Sequence, residues 1–231
     1  IAAPSANLAG RPSPTSAKHV LDDLDGRIDA VLDAGSTSVG VESTVLDLTI
    51  NPPQVLRPGG TPYEALQNIL SRVELHPVAF AERELNVQEV RSPGMTHRHY
   101  APEADLIVVE GQVPAVVNKV KELADSCRRS GKKVGVLATD ETVSEYEASV
   151  VRSLGSRSDL AAIAKNLFRL LRELDSENVD TIIAEGLPPK ELGLAVMNRL
   201  RKASGYHIIK ADESWNKRGN KVISTKENTI L

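Results

Sequence analysis

The chain has 231 residues, 41% of them hydrophobic and 26% charged, with a formal net charge of −3, a composition that fits a soluble globular protein of one large or two smaller domains. That charge supplies no global attraction to nucleic acid or a membrane surface, and neither a run of about 18 apolar residues nor a signal peptide is visible. Cys127 is the only cysteine, which excludes an intrachain disulfide framework and points to a reducing, cytoplasmic setting. It falls on the apolar stripe of a predicted helix and reads as packing rather than as a nucleophile.

Residues 3–16, APSANLAGRPSPTS, form a loop of small hydroxyl and amide side chains, tightened at Gly10 and stiffened by Pro12 and Pro14. Ser5, Asn7, Ser13, Thr15 and Ser16, with the positive end of the helix that Thr15 is expected to cap, suit a phosphate; the same residues also suit a loop that caps its own backbone. That helix runs to about Leu24 and stops at Gly26. Residues 28–32 read as a half-buried strand. A small-residue loop at 35–40 leads into strands at 42–48 and 54–56, joined through Asn51-Pro52-Pro53. The stretch GVEST at 40–44 either faces a ligand or simply starts a strand. Arg57, where Pro58 and Gly59 end a strand, either grips phosphate or carboxylate in a bidentate pair or makes a surface salt bridge. Thr61-Pro62-Tyr63-Glu64 reads as a capping box opening a helix to about Ser71.

A polar stretch at 82–91 leads into SPGMTHRHYAP at 92–102. His97 and His99 suggest a metal pair, but without a third or fourth ligand they lack the geometry of a zinc site, and the segment reads as a linker with polar tips at Arg98, His99 and Tyr100. Beyond it, apolar runs at 106–109, 133–137, 149–153 and 179–184 alternate with helices, the longest expected to be capped by Ser158. Strands buried on both sides and separated by helices imply a small parallel, Rossmann-like sheet. No glycine-rich phosphate fingerprint follows Val109 or Leu137, so this second part reads as a docking or regulatory platform. The tail from 215 to 231 is polar.

Singly these signals are weak, but their order is specific. APSAN, AGRPSPT, GVESTV, VLRPG and SPGM with RHYAP resemble, along essentially the whole chain, the long two-domain L-threonylcarbamoyladenylate synthases. The resemblance implies an α/β chain: the C-terminal part of a YrdC-like catalytic domain at 1–80, a linker at 81–104 and a Rossmann-like accessory domain at 105–231. It also implies an enzyme that converts L-threonine, bicarbonate and ATP to threonylcarbamoyl-adenylate and pyrophosphate, with Mg²⁺ bound mainly through phosphates. A downstream transferase complex would pass the product to adenosine 37 of tRNA. Carried over by motif, Ala3 and Ser43 would contact threonine, and Ser5, Asn7, Ser13, Arg57 and Tyr100 would serve the nucleotide, Asn7 by supporting the loop. The family's catalytic domain begins with strands carrying a Lys-x-Arg motif, whereas this chain opens at Ile1 directly before APSAN. The expectation is therefore the later part of a longer protein, inactive by itself. A non-catalytic module that binds RNA, including double-stranded RNA, is the alternative, disfavoured by the net charge and the lack of interleaved aromatics.

Overall fold

The first β-sheet begins only after a helix and a long loop, in a computed structural model that describes residues 3–81 and 99–212. Helix α1 (Ala17–Leu24) is capped by Ser16, whose side chain accepts from the His19 amide. The cap thus lies one residue beyond Thr15, whose own amide donates to His19 Nδ1 at 3.1 Å. Strand β1 (Val45–Asp47) pairs antiparallel with β2 (Gln54–Arg57), across a turn whose Asn51–Pro52 peptide is cis. Helix α2 (Tyr63–Gln67) follows, and β3 (Glu74–Leu75) joins β2 in parallel.

Two expectations for this part fail for identifiable reasons. Residues 28–32 form no strand, and Leu32 is 98% exposed, because alternation makes a strand only where a sheet edge is available to pair with it. The capping box of α2 does not close either. Pro62 takes the cap position with no side-chain bond, and the Glu64 carboxylate accepts from the distant Glu191 amide at 3.0 Å instead.

The second sheet comprises β4 (Asp105–Glu110), β5 (Val134–Ala138), β6 (Val150–Ser153), β7 (Thr181–Glu185) and β8 (Ile208–Lys210). All pairings are parallel, in the order β6-β5-β7-β4-β8. Alternation sorts the strand side chains between two cores. Ile107, Val109, Val134 and Val136 pack with Val116 and Val120 of α3 (Val113–Arg129), and Cys127 of the same helix is half-buried against this cluster. Leu106, Val108, Leu137 and Ile182 face α4 (Leu160–Ser176) and α5 (Leu192–Ala203) on the other side. Each fully buried Leu, Ile or Phe contributes roughly 1.5–3 kcal/mol of burial, which makes this double layer the stable part of the chain. Asp159, not Ser158, caps α4, accepting from the Ala162 amide at 2.9 Å; Ser158 Oγ lies 2.8 Å from Ser156 Oγ.

Charged side chains join the two sheets. Arg172 of α4 donates to the Pro12 carbonyl at 2.6 Å and to Asp23 at 2.7 Å. Helix α5 is buried along Gly193–Ala203. Its Asn198 donates to the Ala79 carbonyl at 2.8 Å, on a short 3-10 turn (Pro77–Phe80). Its Arg201 binds both oxygens of Glu110, at 2.7 and 2.9 Å, and donates to the Phe80 carbonyl at 2.6 Å. Lys210 also pairs with Glu110. The carboxyl ends of the parallel strands, a common ligand crevice in α/β sheets, are furnished by the chain itself. Glu185 accepts from Arg157 at 2.6 Å, Thr139 at 3.2 Å and Tyr146, and Asp212 accepts from the Gln112 amide at the start of α3 at 2.7 Å. Among the described residues no helix is long and apolar enough to cross a membrane.

Candidate functional site

The opening loop folds against residues 37–42, where the Thr37 amide donates to the Thr15 carbonyl at 2.9 Å. Between them lies a cavity of about 510 Å³ whose walls include Ser5, Ser13, Thr15, Thr37 and Glu42. Gly40 forms part of the wall at φ +80°, and a Cβ there would stand 2.4 Å from the Lys165 Cα of α4. Only glycine fits this left-handed, backbone-to-backbone approach. Asn7 turns its amide to the Leu8 and Arg11 carbonyls, at 2.8 and 3.3 Å, and so braces the loop rather than lining the cavity. Ala3 is exposed and not on the wall. Another cavity, of about 540 Å³, opens at the amino ends of β4 and β7 beside Lys132, Thr181 and His207; none of the expected residues lines it.

Glu42 connects this cavity to the remaining candidates. Its Oε1 accepts from Ser13 Oγ at 2.5 Å and its Oε2 from Arg199 Nε at 2.7 Å. Burial works against its ionised form, but Arg199 and Ser13 outweigh it and hold the carboxyl below the ordinary range. The next residue, Ser43, is exposed at its side chain, and its carbonyl accepts from Arg57 Nε at 3.3 Å and Nη2 at 3.0 Å. A Cβ on Gly59 would come within 2.2 Å of the Glu42 carbonyl, so the glycine of VLRPG lets the two backbones touch. Arg57 also engages the Tyr100 hydroxyl.

Tyr100 is only 1% exposed and has φ +67°, a conformation that costs free energy in any residue but glycine and asparagine-like types and clusters at functional sites. Its ring packs 5.4 Å from Phe168, beneath the Arg199 guanidinium at 5.2 Å and edge-on to His99 at 4.2 Å. The structure thus buries Tyr100 behind the cavity instead of placing it on the wall. Burial raises its hydroxyl above the ordinary range, with Arg199 opposing. The same burial lowers His99, whose buried Nδ1 has no partner among the described residues. Lys202 is pushed down to about 7, by burial first and then by Arg199 and Arg57, with Glu42 opposing. Lys202 therefore lies in the field of Arg199 and Arg57 with Glu42 as the counter-charge, and an added anion would relieve that repulsion.

Sequence reasoning singled out Ser13, Ser43, Arg57 and Tyr100, which the structure links into one network, but it missed Glu42, Arg199 and Lys202. Glu42 stood in view within GVEST; Arg199 and Lys202 carry no local motif. Among the described residues no group of three or more His, Cys, Asp or Glu could hold a metal. His97 and Arg98 lie outside the described residues.

The α/β chain thus combines a parallel sheet with a cation-rich network beside a hydroxyl-lined cavity, a site whose chemistry suits an anion. The comparisons narrow this reading. Residues 62–205 match the family described as threonylcarbamoyl-AMP synthase, C-terminal domain, and residues 1–59 match one described as telomere recombination. The chain belongs to the threonylcarbamoyl-AMP synthase (Sua5) family. It is 50% identical over 210 residues to the threonylcarbamoyl-AMP synthase of Pyrococcus abyssi, covering 91% of this chain and 59% of the relative. To the Bacillus subtilis protein of the same name it is 43% identical, covering 91% of this chain and 58% of the relative. The chain therefore spans under two thirds of the length of these relatives. The crystal structure of P. abyssi Sua5 complexed with L-threonine superposes with a TM-score of 0.83 at 50% identity, over 91% of this chain and 59% of that one. A variant of that protein, with a histidine and the following tyrosine replaced by alanine, gives 0.82 at 48% identity, over 90% and 57%.

Proposed function

We propose that this chain acts within an enzyme that makes L-threonylcarbamoyl-adenylate from L-threonine, bicarbonate and ATP, for transfer by a downstream complex to adenosine 37 of tRNA in the cytoplasm. The observation that carries this reading is one connected network beside a cavity: Ser13 and Glu42 share its wall and a hydrogen bond, the Ser43 carbonyl next to Glu42 accepts from Arg57, and Arg57 engages the Tyr100 hydroxyl. The threonine complex of the P. abyssi relative supports the amino-acid substrate. The histidine–tyrosine pair altered in the variant has one counterpart in this sequence, His99-Tyr100. Residues 1–80 form part of the catalytic domain, 81–104 the linker and 105–231 the accessory domain.

In this scheme the Ala3 backbone and Ser43 hold threonine, Ser5, Ser13 and Arg57 hold ATP, Tyr100 serves the nucleotide from behind through its hydroxyl on Arg57, and Asn7 braces the loop. Bicarbonate takes up a proton and loses water to give carbon dioxide, to which the threonine amine adds, losing a proton to give a carbamate. A carbamate oxygen then attacks the α-phosphorus as the bond to pyrophosphate breaks in line, so that catalysis rests on positioning. Arg57 offsets charge that builds on the phosphates. With Glu42 committed to Ser13 and Arg199, Mg²⁺ would be held mainly by the nucleotide's phosphates, where it would offset their charge. The test is pyrophosphate release by the full-length gene product. Release is expected only when L-threonine, bicarbonate and ATP are all present, and release indifferent to threonine would overturn the proposal.

A further inference from the structure

We propose that Arg199, on α5 of the five-strand sheet, is the positioning residue that sets the geometry of the nucleotide site. The proposal rests on the adenylate-forming reading above and adds to it a residue from the accessory sheet. Arg199 is 0% exposed, so it acts through its neighbours and does not itself meet substrate. Its Nε donates to Glu42 at 2.7 Å, its Nη1 to the Pro58 carbonyl and to Asn198 Oδ1, both at 2.9 Å, and its guanidinium lies 5.2 Å from the centre of the Tyr100 ring.

Three of these four contacts are, or stand one step from, a residue assigned to ligand, while Asn198 holds the Ala79 carbonyl. Glu42 holds the Ser13 hydroxyl and precedes Ser43. Pro58 follows Arg57, fixing where that strand end points. Tyr100 is gripped on its face. Arginine alone among side chains combines a rigid planar fork of donors with a face that stacks on an aromatic ring, so a single residue can hold a carboxylate, a carbonyl and a phenol ring in register. The remaining nitrogen, Nη2, is buried with no hydrogen-bond partner among the described residues. A donor left unpaired in the interior is unfavourable, so structural optimisation alone does not account for an arginine here. What accounts for it is that the guanidinium is placed by what it must hold.

The experiment uses the full-length enzyme with Arg199→Met, Arg199→Lys and Glu42→Gln, singly and with Arg199→Met and Glu42→Gln combined. Arg199→Met is expected to raise KM for ATP at least tenfold, with a smaller change in kcat. Arg199→Lys keeps the charge but loses the fork and the stacking face, and should fall between Met and wild type. Because both residues act along one chain of contacts, the double variant should be no worse than the poorer single one. Melting temperature and circular dichroism establish folding; a merely structural arginine would lower both and the active fraction while leaving KM unchanged. If Arg199→Met does not fold, Glu42→Gln carries the test. An ATP KM within twofold of wild type in the folded variant, or effects that multiply in the double variant, would overturn the proposal. Calorimetric titration with ATP separates the two failures. Wild-type protein that binds ATP yet releases no threonine-dependent pyrophosphate removes the reaction, while the ATP affinity of Arg199→Met against wild type still decides the role of Arg199.

Discussion

Arg199 and Arg201 sit two residues apart on α5, and both are buried beside a carboxylate, yet they are used differently. Arg201 spends Nε and Nη2 on the two oxygens of Glu110 and Nη1 on the Phe80 carbonyl. Its pairing is closed, and with Lys210 it joins β4, β8 and α5. Arg199 binds one oxygen of Glu42, one carbonyl and one amide oxygen, and leaves Nη2 without a partner among the described residues. Burial and ion pairing are common to both. What separates a structural lock from a positioning device is how completely the donors are used and what their acceptors hold in turn.

The largest break in this comparison comes from Glu110→Ala, which leaves Arg201 buried without its partner and should cost about 3–5 kcal/mol in urea unfolding. Burial opposes ionisation of Glu110, but Arg201 and Lys210 outweigh it and hold the carboxyl below the ordinary range. The Glu110 contribution is therefore fully present above the ordinary value of about 4.3, and it is lost as pH falls through the depressed folded value. Glu110→Ala should lack that part of the acid limb. Next in size is Lys202→Met, which probes the cations beside Arg199. With its pKa pushed down to about 7 from 10.5, Lys202 holds a proton in the unfolded chain and not in the folded one across that window. Stability should consequently rise with pH there and fall back toward pH 7, with Arg199, Arg57 and His99 facing the ammonium and Glu42 opposing them. Lys202→Met should flatten the rise and melt higher than wild type at pH 7 and below. The smallest effect is expected from Lys18→Ala, which removes an exposed i,i+4 pair with Asp22 at 2.8 Å; chemical denaturation should register about 0.3–0.5 kcal/mol.

The fold was legible where burial writes a pattern into the chain. Strands covered on both faces read as apolar runs, and β4, β5 and β7 fell within a residue or two of expectation. Strand β3 has two residues and β8 three, too short to show a period, and their pairing is set by neighbours far along the chain. The cap of α1 moved from Thr15 to Ser16 and that of α4 from Ser158 to Asp159, since adjacent hydroxyl and carboxyl groups compete and only the folded backbone decides between them. In the site, Ser13 and Ser43 lie in loops whose composition announces them, and Arg57 ends β2 just before the Pro58-Gly59 stop. Arg199 lies 157 residues from Glu42 in a stretch that reads as one side of an amphipathic helix. No local spacing encodes a contact made across two sheets.

Gly40 has a practical consequence for anyone recombining this protein with its relatives. The wall of the cavity rests main chain against main chain on α4, so the fit depends on how the helix lies and not on which side chain it presents. A graft that exchanges residues 37–42 alone would import a loop cut for another helix. Swapping that loop together with the first half of α4 keeps both sides of the seam from the same parent, and the unit of exchange here is a pair of segments more than a hundred residues apart.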